Sequence, residues 1–163
     1  MAPGPGGKMR TSDSVAGPVD IGPTVMTMRH VFEDLFASVG ERLEDHVTLH
    51  ADTVLARHWW RDGSTLDLHH DIEHSVEAVG DFAGLQAAGE FRAFTSKAKH
   101  LFEAFDAPVM REAEPRLGAL TARVLAEPSL IPAIAPGLTL ARSLARQFTD
   151  PRLRQLFGRY ATY

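Results

Sequence analysis

The chain has 163 residues, 44% of them hydrophobic and 23% charged, with a formal net charge of −4. That composition suits one globular core and supplies no basic footprint for nucleic acid. The sequence has no cysteine, which excludes disulfides, thiolate chemistry and cysteine zinc sites and suits a reducing cytoplasm.

The first stretch is Gly4-Pro5-Gly6-Gly7-Lys8-Met9-Arg10, and Asp20-Ile21-Gly22-Pro23-Thr24 follows it. Gly6 and Gly7 have no Cβ, so their N–H groups can approach an anion closely, and Lys8 adds charge beside them. Gly22-Pro23 is a rigid turn, after which Thr24 offers a hydroxyl. Met9 stands where a P-loop needs Ser or Thr, and also where a dinucleotide fingerprint needs its third glycine. On these residues alone a Gly/Pro-rich unstructured N-terminus competes with a backbone-lined anion or cofactor contact.

Residues 9–21 predict two short strands or an irregular hairpin around Gly17-Pro18. A helix is predicted from near Thr27, with Val31, Phe32, Leu35, Phe36 and Val39 on one face and Gly40 ending it. Residues 47–50 are a strand candidate. Residues 54–61 and 64–69 flank Asp62-Gly63, the strongest hairpin signal in the chain, with Leu66 and Leu68 on the buried face. On a strand Trp59 and Trp60 point to opposite faces, one for the core and the other for a ligand or neighbouring domain. A lone hairpin is marginal, so the β part calls for partner strands.

From Asp71 the pattern turns helical. Asp71 can cap residues 72–79, with Gly80 and Gly84 breaking the run. Phe91, Phe94, Ala98, Leu101, Phe102 and Phe105 mark one helix face, which Pro108 ends. A shorter helix follows Pro115. Residues 128–141 carry no charge, but Pro132, Pro136 and Gly137 make them too broken to span a bilayer. The next helix sets Leu140, Ala141, Leu144 and Phe148 against Arg142 and Arg146, which suits either core packing or an interfacial helix. Asp150-Pro151 starts the last helix, with Leu153, Leu156, Phe157 and Tyr160 on one face. The chain thus reads as α+β, with antiparallel strands before a mainly helical C-terminal half.

Two clusters invite chemistry. His69, His70 and His74 lie near Asp67 and Asp71, but no further ligand follows, which favours solvated or capping histidines over a metal site. The aromatic run from Phe91 to Phe105 reads as core, or as the lining of an apolar channel. No nucleophile elbow or acid/base pair stands out.

The order Pro5-Gly6-Gly7-Lys8-Met9-Arg10, Gly17, Asp20-x-Gly22-Pro23-Thr24, with Asp150-Pro151-Arg152-Leu153-Arg154-Gln155-Leu156-Phe157 near the end, resembles the bacterial-type carotenoid (phytoene) desaturases. These are FAD-dependent and related to flavin amine oxidases. The wording is most similar to members acting on hydroxylated or methoxylated acyclic carotenoids. The resemblance implies cofactor-binding roles for Gly6, Gly7, Lys8, Gly22, Pro23 and Thr24, with Asp20 behind them, and no catalytic side chain. It implies a flavin-binding remnant over residues 1–45 and a substrate domain over 46–163, with strands to residue 70. Neither the opening Rossmann unit nor the closing flavin segment of the family is found, so the chain reads as an internal fragment with an incomplete FAD site. The implied partners are a carotenoid, the surface of the inner membrane from the cytoplasmic side, and further copies of the chain through exposed apolar surface. The competing reading is a non-catalytic helical binding module.

Overall fold

The computed structural model describes residues 10–22 and 26–162, in two units, 1–50 and 51–163. In the first unit, β1 (Thr11–Ser14) and β2 (Gly17–Asp20) form the expected antiparallel hairpin, with Thr11 opposite Asp20. Gly17 closes the turn at φ +107°, a left-handed conformation that glycine adopts without a Cβ clash. The helix α1 (Arg29–Ala37) follows, and Arg29 pairs with Glu33 at 2.6 Å and also with Glu44 on a 3₁₀ turn, Leu43–Asp45. Its apolar stripe is not buried within the unit: Val31, Leu35 and Val39 are exposed. The strand expected at residues 47–50 does not form. Val47 and Leu49 alternate as a strand requires, but no neighbouring edge pairs with them and both are exposed.

The second unit begins with β3 (Val54–Trp59) and β4 (Thr65–His69), antiparallel as Asp62-Gly63 predicts. Gly63 takes φ +83°, and Asp62 Oδ1 accepts from the Ser64 N–H at 2.9 Å and its hydroxyl at 2.6 Å. Arg57 and Asp67 pair across the strands, while Leu66 on the other face is 2% exposed. Among the described residues no third strand joins this hairpin. Helices cover its inner face instead, so the need for partner strands is met by a different layer.

Asp71 Oδ1 caps α2 (Ile72–Ala83), accepting from the N–H groups of Glu73 at 2.8 Å and His74 at 3.1 Å. The buried Ser75 hydroxyl accepts from the His69 N–H at 2.8 Å and so ties α2 to β4. Gly80 does not break the helix. A Cβ there would stand 3.5 Å from that of Ala88, in the close approach of α2 to α3 (Leu85–Phe105). The break falls at Gly84, at φ +92°. The remaining helices are α4 (Leu117–Ala126), α5 (Leu130–Ile134), α6 (Leu140–Gln147) and α7 (Pro151–Gly158). The core joins Leu66, Val76, Val79, Phe91, Leu144, Phe148, Leu153 and Leu156.

That core takes up part of the apolar face of α6. Leu144 and Phe148 are each 1% exposed, and Phe148 stacks on Phe157 at 5.3 Å between ring centroids. Of the face read for the bilayer, Leu144 and Phe148 are turned into the protein, while Leu140 and Ala141 stay exposed beside the solvated Arg142 and Arg146. Among the described residues no helix is long and apolar enough to cross a membrane.

Candidate functional site

The aromatic run of α3 serves two purposes. Phe91 is 3% exposed in the core, and Phe94 meets Phe148 and Phe157 at 5.1 and 4.6 Å. Further along, the same stripe leaves the core. Leu101, Phe102 and Phe105 face α4 and α5 across a groove of about 820 Å³. The opposite wall is Leu120, Thr121, Val124, Leu125 and Ile134, with Val109 and Met110 at one end. A smaller cavity of about 310 Å³ adjoins it, sharing Leu101 and Ile134 and running back to Phe94. From Phe94 to Phe105 the lining follows α3 for about 16 Å at the helical rise. The larger volume is near the top of the range for small-molecule sites, about 300–1,000 Å³.

Polar contacts outside the groove hold its walls. Arg123 Nε donates to the Ala104 carbonyl at 3.3 Å and pairs with Glu127 at 2.7 Å, and His100 stands 3.2 Å from Glu127. Leu130, the first residue of α5, is fully buried, and Ala135 ends that helix at φ +51°. Pro108 lies in a π-turn, Asp106–Met110, that closes α3, with the Arg111 N–H donating to the Asp106 carbonyl at 3.1 Å. Asp106 is the one charged residue lining the larger groove. Its Oδ2 accepts from Arg111 Nε at 2.7 Å, while its covered Oδ1 has no hydrogen-bond partner. Such a trough can hold an extended apolar molecule, and it offers no nucleophile or acid/base pair. The sequence reading placed a helix over residues 117–125 but not its role as a groove wall, and it passed over Asp106. The spacing of Leu120 and Val124 was the signal for the α4 wall.

Of the predicted cofactor residues, Gly6, Gly7, Lys8, Pro23 and Thr24 lie outside the described residues. Asp20 ends β2 as an exposed carboxylate and Gly22 follows in a bend, with the Ile21 N–H donating to the Arg10 carbonyl at 2.9 Å. The described residues include no parallel strand–helix unit of the kind that seats a pyrophosphate. His70 precedes the Asp71 cap, while the rings of His69 and His74 stand 6.1 Å apart. Among the described residues no group of three potential ligands forms a metal site. Of the two tryptophans, Trp60 packs on the core and Trp59 is 69% exposed.

The C-terminal phrase is a clamp. Asp150 caps α7 through the Arg152 N–H at 2.7 Å, and its Oδ2 accepts from the Arg152 guanidinium at 2.9 Å. The same guanidinium reaches the Ser64 hydroxyl at 3.2 Å and lies 3.9 Å from the centre of the Phe82 ring. Gln155 accepts from the Trp60 indole at 3.1 Å, and Leu153 and Leu156 are core. The Arg152 side chain holds the Asp150 carboxyl below its usual value of 3.8, and Ser64 with Arg152 does the same for Asp62. A carboxylate with a depressed folded value stabilises fully above its unfolded value and loses that stabilisation as pH falls through the folded one. Arg152→Met should therefore cost about 1–2 kcal/mol at neutral pH and soften the loss of stability below pH 3.8, seen in urea melts across that range.

No family model matches the chain. Among curated proteins, it is 56% identical to a hydroxyneurosporene desaturase of Cereibacter sphaeroides and 50% identical to one of Rhodobacter capsulatus. Each match covers 98% of this chain and 32% of the relative. A phytoene dehydrogenase of Streptomyces griseus is 32% identical over 98% of this chain and 31% of its own length. The chain thus spans about a third of the curated relatives it matches. Over that span, the sequence belongs to the bacterial-type carotenoid (phytoene) desaturase family.

Proposed function

We propose that the chain forms the carotenoid-binding part of an oxidoreductase that desaturates acyclic hydroxy- or methoxycarotenoids in carotenoid biosynthesis, the hydride equivalent passing to FAD. The observation that carries this reading is the α3–α5 groove. It is long, almost wholly apolar and without acid/base machinery, and it occurs in a sequence similar to hydroxyneurosporene desaturases. A cofactor that takes the hydride leaves the protein to position a substrate and keep its channel dry.

In this reading residues 1–45 belong to a flavin-binding region. Gly6, Gly7, Lys8, Gly22, Pro23 and Thr24 touch the cofactor, with Asp20 behind them. Residues 46–163 belong to the substrate-binding domain of a flavoenzyme fold. The protein works at the cytoplasmic face of the inner membrane. Leu117 and Leu125, 82% and 73% exposed on α4, with Met110 at 56%, supply an apolar surface for bilayer contact or self-association.

The test is retention. Purified chain mixed with hydroxyneurosporene in mild detergent should carry the pigment through gel filtration. A colourless protein peak would reject the reading. FAD offered in the same way should be held weakly or not at all, because the contacts assigned to Gly6, Gly7, Lys8, Gly22, Pro23 and Thr24 do not by themselves seat a pyrophosphate; stoichiometric yellow protein would contradict that assignment.

A further inference from the structure

We infer that α4 is a hinged flap over the trough, and that Arg123 is the positioning residue that latches it, so that α4 opens to admit and release the carotenoid. This rests on the trough being the carotenoid site. No residue of α4 is buried. Leu120 and Val124 are half-buried and line the trough, not the core. The segment is anchored at its two ends. Before it, Arg111 pairs with Asp106 at 2.7 Å, and after it Leu130 is fully buried. Residues 111–116 form neither helix nor strand, and Pro115 and Pro128 interrupt the chain on either side of α4. An element that buries little apolar area opens locally at low cost.

Among the described residues, two polar contacts tie this segment to α3. Arg123 Nε donates to the Ala104 carbonyl at 3.3 Å, and Glu127, directly after α4, stands 3.2 Å from His100. The first contact has a cause within α3. In an α-helix the Ala104 carbonyl accepts from the N–H of residue 108, and Pro108 has none. Ala104 is 2% exposed. A covered carbonyl without a donor is costly, and Arg123 supplies one from α4. Its ion pair with Glu127 at 2.7 Å steadies the guanidinium. The proline near the end of α3 thus leaves open the acceptor that holds α4 in place.

Two readouts test this on the full chain. Hydrogen exchange without pigment reads the flap, and transfer of hydroxyneurosporene between detergent micelles and the protein reads the gate. In wild type, residues 117–126 should exchange at least about tenfold faster than residues 88–98 of α3. Arg123→Met should speed exchange of 117–126 about tenfold further, the effect of one hydrogen bond to a charged group, and leave 88–98 unchanged. Glu127→Gln, which keeps the Ala104 contact, should speed it about threefold at most. Arg123→Met should also speed both uptake and release of the pigment about tenfold. Faster release with unchanged uptake would show a weakened site and overturn the gate. Equal exchange of the two segments in wild type, or exchange of α4 unmoved by Arg123→Met, would overturn the latch and leave the trough as a carotenoid site. An effect of Glu127→Gln as large as that of Arg123→Met would overturn the role of the Ala104 contact. Pigment retained by no variant and not by wild type would overturn the trough reading, and the gate with it. Should Arg123→Met fail to fold, Arg123→Lys replaces it: its donor on a flexible stem should still loosen α4 about threefold, and unmoved exchange would overturn the latch.

Discussion

Leu144→Glu should abolish the cooperative fold of the 51–163 unit. Leu144 is 1% exposed and packs in the core cluster with Phe148, beside Gly158. An unpaired buried charge costs several kcal/mol even after the site relaxes, a large part of the roughly 5–15 kcal/mol that holds a domain together. Leu144→Met keeps volume and apolarity and should cost less than about 1.5 kcal/mol. Far-ultraviolet circular dichroism with a urea melt reads both. A folded Leu144→Glu protein would mean that α6 does not seal the core, and would reopen the interfacial role its arginine stripe suggested.

The opposite behaviour is expected at the groove. Phe102 and Leu125 are 53% and 73% exposed, and both line the trough. Phe102→Glu and Leu125→Glu should change stability by about 0.5 kcal/mol or less, as surface substitutions do. Each would set a carboxylate where an apolar chain must lie, with its desolvation added to the cost of binding. Retention of hydroxyneurosporene should fall at least about tenfold for each single variant, with unchanged melting. Loss of pigment together with loss of folding would show that these residues support the fold, not the ligand.

The contrast between α6 and α3 also shows what the sequence could disclose. Local signals were legible: Asp62-Gly63 gave the hairpin, Asp71 and Asp150 gave caps, and helical spacing gave α1 and α3. Those features depend on neighbours along the chain. The partner of a face does not. The stripes on α6 and on the second half of α3 are both apolar, yet one is sealed by Leu153 and Phe157 while the other lines an open trough. Periodicity reports that a face is apolar and cannot report what covers it. Residues 47–50 failed for a related reason, because a strand needs an edge to pair with. Gly80 looked like a breaker because its packing partner, Ala88, lies across a helix–helix contact. Asp106 stayed hidden because a lone carboxylate beside Pro108 looks like a helix end. Its meaning depends on the walls that the fold brings around it.

The trough between the second half of α3 and α4–α5 is the proposed carotenoid site. Amide hydrogen exchange of the full chain, in detergent with and without hydroxyneurosporene, tests it most directly. Slower exchange is expected over residues 101–110 and 117–134, with the β3–β4 hairpin unchanged. Protection that falls on residues 54–69 instead, or nowhere despite retained pigment, would contradict it.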